Sequence, residues 1–366
     1  MATVSPAEYL AGLESAWRDH LAPRQTTAPT VVSLFAGGGG STLGHRMAGY
    51  QERLAVEWDA CAVATLQRNV PETPIVTGDI ATLSVDDALT LSGLRPGELD
   101  LLDGSPPCQG FSAAGKRRLD DPRNGLFREY ARLLDGLQPR AFVLENVPGL
   151  VRGKMRLVFA ECLRLLAGCG YRVSARVVNA AYFGVPQDRH RLIVIGVRQD
   201  LGMAPTHPPA QVWPIPFRVA LDAARLLHRQ GTGDPGLSAY EAEDWVTPPL
   251  DDAYGHLWHR VRRGGTAADV IGKGFASCVK PRLDRPGPTL PKTQGGHGFA
   301  TVVHPVEPRA LSVAEAALAS SFPPGFRFVG SYQERWARIG NGVPPLLMRA
   351  IATHLRQTVL DGRGDR

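Results

Sequence analysis

Between residues 31 and 197, short apolar runs alternate with helix-patterned segments, and this alternation leaves few architectures open to the chain. The apolar runs read as strands at 31–35, 53–56, 74–76, 99–102, 141–144, 171–179 and 192–197. Helical spacing separates most of them, at 41–49, 60–69, 127–136 and 155–167. This β-α-β order predicts an α/β fold with a largely parallel sheet and helices on both faces. In open sheets of that kind, chemistry collects outside the carboxyl ends of the strands.

A chain of 366 residues has room for two or three domains, and a hydrophobic share of 43% supports a substantial core. Five cysteines without a C-x-x-C pair argue against a disulfide framework or a zinc site, so no metal is expected. No apolar run has the length of a membrane span and the N-terminus lacks a secretory pattern, which predicts a cytoplasmic protein with no membrane partner. The formal net charge of +6 tolerates a polyanionic partner without requiring one. A helix is expected at 5–20, then a linker. After residue 200, prolines, glycines and histidines crowd the chain and periodicity weakens, until helices return at 312–320 and 344–360. The expected organisation is an N-terminal extension at 1–29, a catalytic and cofactor-binding domain at 30–200, a smaller domain or loop insertion at 201–300, and a C-terminal segment at 301–366 that returns to the catalytic domain.

Four stretches carry chemistry. Residues 103–112 read Asp-Gly-Ser-Pro-Pro-Cys-Gln-Gly-Phe-Ser. Two prolines stiffen the approach to Cys108, and glycines allow turns on either side, so a thiol is presented at a strand end. Phe35-Ala-Gly-Gly-Gly-Gly40 follows a strand and precedes a helix, and Glu57 ends the next strand. That order suits an adenosine-containing cofactor, with the carboxylate on the ribose hydroxyls. Gly37 and Gly39 fit the dinucleotide pattern G-x-G-x-x-G, but Thr42 stands where its third glycine belongs, and a plain tight turn would use the same glycines. Glu145-Asn146-Val147 puts a carboxylate at the end of a strand expected to neighbour the Cys108 strand, a place for a proton donor or for an ordinary ion pair. Gln187-Asp-Arg-His-Arg191 puts two arginines at alternate positions, pointing to one side of a strand, where they would meet a carbonyl, a phosphate or solvent.

Together, and in this order, the stretches resemble the DNA cytosine-5 methyltransferase family of the bacterial restriction-modification type. The resemblance covers about residues 30 to 355. It also draws on Gly78-Asp-Ile80, Asp121-Pro-Arg-Asn124, the region 309–326 and Gly340-Asn-Gly-Val343. It implies a Rossmann-like S-adenosylmethionine-dependent methyltransferase fold, with 201–300 as target-recognition domain. Cys108 matches the family's nucleophile toward cytosine C6 and Glu145 its acid at N3 and the exocyclic amine. Arg191 matches the donor to O2, and Arg189 a support for the site and the Cys108 loop. S-adenosylmethionine would then be held by Phe35, Gly37, Gly39, Glu57, Trp58, Asp79, Ile80, Pro107, Leu126, Asn341 and Val343. Ser33 departs from the pattern, since relatives often carry an acid there, and Gly342 replaces a small alanine or serine.

Double-stranded DNA is the implied partner, with the target base rotated out of the stack. Residues 109–123 would close over that base, with Lys116, Arg117 and Arg118 on phosphates. Lys273, Lys280, Arg282, Arg285 and Lys292 are candidate DNA contacts. A monomer in the nucleoid-associated cytoplasm is expected, alongside a separate cognate restriction endonuclease. Three other functions compete. Methylation of transfer RNA would call for a Cys-Phe-Thr signature that the chain lacks. An idle DNA-binding protein would leave the Cys108, Glu145, Arg189 and Arg191 set without purpose. A nicotinamide-dependent oxidoreductase shares only the glycine turn.

Overall fold

The computed structural model describes residues 4–107, 125–153, 155–230, 239–250, 257–272, 278–294 and 301–361. In chain order its main elements begin with α1 (Pro6–Leu21), β1 (Thr30–Leu34), α2 (Gly40–Met47), β2 (Gln51–Glu57), α3 (Ala60–Asn69) and β3 (Ile75–Thr77). There follow α4 (Val85–Ser92), β4 (Leu101–Gly104), α5 (Gly125–Leu137), β5 (Ala141–Asn146), α6 (Met155–Gly168) and β6 (Tyr171–Asn179). Then come β7 (Gln187–Asp188), β8 (His190–Arg198), α7 (Phe217–Gln230) and β9 (Gly287–Pro288), with later helices at Val313–Ala319, Tyr332–Asn341 and Pro345–Leu355. The chain divides into two compact units. The sheet unit comprises Ala22–Asn179, His190–Pro209 and Met348–Arg366; the helical unit comprises Met1–Leu21, Ala180–Arg189 and Ala210–Leu347.

In the sheet unit, seven strands lie in the order β3-β2-β1-β4-β5-β8-β6. The five strands from β3 to β5 are parallel, and β8 runs antiparallel to both β5 and β6. The order reverses between β1 and β4, which opens a crevice at their carboxyl ends. One face is apolar throughout. Val32, Leu34, Leu54, Val56, Leu102, Phe142, Leu144, Leu192 and Val194 meet Tyr130, Leu133 and Leu134 of α5 and Cys162 and Leu166 of α6. Phe142 centres this layer, edge-on to Tyr130 at 6.2 Å and to Tyr171 at 5.3 Å.

The other face carries polar groups. Ser33 lies opposite Asp103 in the β1–β4 ladder, and Asp103 opposite Val143 in the β4–β5 ladder. Alternation along β5 then puts Glu145 on the same side as Val143. The β1–β2 register slips between Val31 and Val32, so that Val31 faces Glu52 and Val32 faces Leu54. This bulge skips Arg53 and turns Glu52 toward the side of Ser33. All eight residues of α2 are buried.

In the helical unit, α1 and the helix Val313–Ala319 both pack on α7. The Tyr9 hydroxyl donates to the Leu318 carbonyl at 2.7 Å, and Phe322, Phe326 and Phe328 cluster with ring centroids 4.9–5.4 Å apart. The units cut the chain differently from its composition. Residues 6–21 are not a free extension, because the buried stripe Tyr9, Leu10, Leu13 and Ala16 needs an apolar partner. Residues 301–347 belong with 210–300, and only the chain from Met348 returns to the sheet unit. Three helices escaped sequence reading. In α7, buried Phe217, Ala220, Leu221, Ala224 and Leu227 sit at helical spacing amid prolines and glycines that masked it. Ser84 caps α4 through Asp87 N–H, and Ser331 with Glu334 forms a capping box for Tyr332–Asn341; both are readable start signals.

Candidate active site

The five parallel strands deliver their loops to one edge of the sheet. After β1 the backbone turns sharply, with Phe35 at φ 55°, Gly37 at 57° and Gly39 at 94°. A positive φ is ordinary for glycine but strained for an aromatic residue, and such strain gathers at functional turns. Alanine at Gly39 would also bring a Cβ within 2.8 Å of Leu66 Cδ1, whereas the space beside Gly37 is open to 4 Å. Glu57, at the end of β2, braces the turn. Its Oε2 accepts from Gly37 N–H at 2.7 Å, and its Oε1 accepts from Trp58 and Asp59 N–H at 3.0 and 2.9 Å. Three accepted bonds leave a carboxylate about one lone-pair site for a ligand hydroxyl. Trp58 is 78% exposed and presents a free indole face beside this turn. After β3, Asp79 caps a 3-10 turn by accepting from Ala81 N–H at 3.0 Å, and Ile80 is buried in the apolar layer. Pro107 is exposed at the end of the described β4 loop, and Leu126 packs against the core at the start of α5.

β4 and β5 are neighbours, as expected. Asn146, absent from the expected site set, links them: its Nδ2 donates to the Pro106 carbonyl at 3.1 Å and its Oδ1 accepts from Val147 N–H at 2.8 Å. The approach to Cys108 is thus anchored from the strand that carries Glu145. Cys108 itself, the 109–123 stretch and Lys273 lie outside the described residues. Glu145 Oε1 meets Arg191 Nε at 2.7 Å, and both side chains are about nine-tenths buried. Arg191 also donates to the His190 carbonyl at 2.8 Å. A buried carboxylate and guanidinium at a strand edge form a donor-and-acceptor pair suited to a flat polar heterocycle.

Two further buried acids lie on this polar face. Burial pushes Asp103 up to about 8; the charge of Glu145 adds to the rise, while Ser41 eases it. Burial likewise pushes Glu52 up to about 8, with Ser33 easing it and Asp103 adding to the rise.

Comparison with known proteins settles the family. The family model for C-5 cytosine-specific DNA methylase matches residues 29–357. The chain belongs to that family. It is a DNA cytosine-5 methyltransferase with a Rossmann-like fold. It is 32% identical to the Type II methyltransferase M.XorII of Xanthomonas oryzae, over 91% of this chain and 86% of the relative. It is 34% identical to the Type II methyltransferase M1.HphI of Haemophilus parahaemolyticus, over 88% and 85%. A prophage-encoded E. coli protein, described as a DNA modification methyltransferase, aligns with TM-score 0.65 and 28% identity, covering 90% of this chain and 99% of its own. DNMT2 of Spodoptera frugiperda aligns with TM-score 0.60 at 17% identity, a likeness of fold alone.

Within this methyltransferase the two arginines of the Gln-x-Arg-x-Arg stretch do not share partners. Arg189, 1% exposed, donates to the carbonyls of Leu290 at 3.0 Å, Gly340 at 2.7 Å and Gly342 at 2.8 Å, all inside the helical unit. A guanidinium fork saturated by carbonyls is a brace. It holds the turn that carries Asn341, exposed at the end of its helix, and buried Val343. Lys280 is not placed as a DNA contact either. It is buried, with Nζ 3.4 Å from the Trp258 ring centroid and donating to the Trp258 carbonyl at 3.2 Å. Arg282 pairs with Asp284 at 2.6 Å, while Arg285 and Lys292 are exposed.

Proposed function

We propose that this methyltransferase adds a methyl group to C5 of cytosine within a specific sequence of duplex DNA, through a covalent bond between Cys108 and C6 of a base rotated out of the helix. The observation that carries this is the buried Glu145–Arg191 pair on β5 and β8, beside the strand that leads into Pro106-Pro107-Cys108. Cytosine C5 is a weak nucleophile. Thiolate addition at C6 makes it electron-rich, at the cost of negative charge on the ring. Glu145 holds N3 and the exocyclic amine and neutralises that charge, and Arg191 donates to O2. Arg189 acts at a distance, as a brace.

S-adenosylmethionine supplies the methyl group. The open space at Gly37, the remaining lone pair of Glu57 and the free face of Trp58 fit its methionine, ribose and adenine portions in turn, with Phe35, Gly39, Asp79, Ile80, Pro107 and Leu126 shaping the same edge. Asn341 and Val343 keep the cofactor assignment that the family resemblance gave them. The Type II relatives support a companion restriction endonuclease of the same specificity, acting separately from a monomeric enzyme in the cytoplasm.

A duplex containing 5-fluorocytosine tests the chemistry, since fluorine at C5 blocks the final proton loss. With S-adenosylmethionine, the wild type is expected to form a covalent adduct and Cys108→Ser none. Methylation of transfer RNA with none of duplex DNA would overturn the substrate, and an adduct in the serine variant would overturn the nucleophile.

A further inference from the structure

Asp103 has no role in the chemistry described so far, yet its position is hard to reconcile with packing alone. It ends an apolar strand, is 2% exposed, and leaves Oδ1 without a hydrogen-bond partner. Polar or charged neighbours face it from every side. Ser33 stands opposite on β1, with Glu52 beyond it on β2. Ser41 comes from α2, which also carries His45 and Arg46. Tyr130 of α5 feels its charge, and Glu145 lies diagonally across on β5, paired to Arg191 of β8. Arg46 reaches Glu72 at 2.6 Å and Arg191 is committed to Glu145, so Asp103 has no cation of its own among these contacts. A lone carboxylate in such a place is expensive, and two carboxylates on one buried face do not both ionise cheaply.

We propose that Asp103 and Glu145 share a single proton, which makes Asp103 a positioning residue for the acid of methyl transfer. The proposal rests on Glu145 acting at cytosine N3. While Arg191 holds Glu145 as a carboxylate, the proton resides on Asp103. When Arg191 turns to the O2 of the base, the O–H bond on Asp103 breaks and one forms on Glu145, with no change in the charge of the pair. Glu145 thereby gains its proton within a buried site. The two carboxyls titrate as a unit, so the pH profile belongs to the pair rather than to either residue.

The test is the pH dependence of kcat for methylation of duplex DNA, measured with KM for S-adenosylmethionine and with thermal melting. In Asp103→Asn, kcat at pH 7 is expected to fall at least tenfold while KM stays within twofold. Its alkaline limb should move at least one unit toward acid, because Glu145 beside Arg191 then holds its proton alone. In Ser41→Ala the limb should move the other way, because Asp103 loses a hydroxyl that favours its ionised form. A limb that stays in place in both folded variants overturns the shared proton, whatever happens to kcat, because a merely structural role lowers activity without moving it. A wild type that forms no adduct with fluorocytosine DNA removes Glu145 from cytosine chemistry and overturns both proposals. A wild type that traps normally, with unmoved limbs, overturns this one only.

Discussion

The two faces of the central sheet are built from the same strands and differ completely in chemistry. On one side Val32, Leu34, Leu102, Phe142 and Leu144 alternate into a dry layer filled by α5 and α6. On the other, Ser33, Glu52, Asp103 and Glu145 occupy the intervening positions beneath or beside α2. The apolar face gains stability from burial, roughly 25 cal/mol per Å² of apolar surface removed from water. The polar face loses stability wherever a carboxyl is buried without full partners. A sheet with one such face is stable only because the other is well packed, and the polar one lies next to the edge where Cys108, Glu145 and the glycine turn are delivered.

The sharpest way to break the comparison is Arg191→Ala. It strands Glu145 as a buried charge and removes the donor to the base, so a loss of about 3–5 kcal/mol in urea unfolding is expected, together with at least a hundredfold loss of methyl transfer. A protein that kept both would show that the pair is ornamental. Phe142→Ala strikes the opposite face. A similar cost of about 3–5 kcal/mol is expected, but with kcat nearly unchanged at a temperature where the variant remains folded; a selective loss of kcat would mean that the faces are not separable.

A third measurement uses pH. Glu52 and Asp103 hold protons up to about pH 8 when folded, against 4.5 and 3.8 for their ordinary values. The stability they contribute is therefore complete below about pH 4 and is lost as pH rises through 8. Unfolding free energy should fall between pH 7 and 8.5, by up to about 1.4 kcal/mol per pH unit for each group. Glu52→Gln should flatten that decline, and an unaltered slope would place the carboxyl in water. The smallest effect is expected at the rim. Trp58→Ala, at 78% exposure, should change stability by less than about 0.5 kcal/mol. Its KM for S-adenosylmethionine should nevertheless rise severalfold, and an unchanged KM would free the indole from the cofactor.

Much of the sheet unit was legible because local pattern and tertiary role agree there. Helix 60–69 and strand 171–179 match their expected bounds, and the strands that flank the glycine and Pro-Pro-Cys stretches lie within two residues of expectation. The bulge at Val31 was not legible. Gln51-Glu52-Arg53 reads as a polar approach to a strand, and only the slipped register turns Glu52 inward. Asp103 was quoted as part of a motif but not weighed, since a lone acid before a glycine reads like a turn. In α7 a regular apolar stripe was hidden by the composition around it.

The order of strands, glycines, prolines, acid and arginines was set by sequence, because each acts through its own backbone freedom or its nearest neighbours. That order sufficed to name the chemistry. The sequence could not apportion the two arginines of one short motif, since spacing places them alike. Partners distant in the chain decided it: Glu145 for Arg191, and the carbonyls of Leu290, Gly340 and Gly342 for Arg189. The same holds for the shared face of Ser33, Asp103 and Glu145. Register across neighbouring strands is a long-range property, and it converts separate acids into one coupled site.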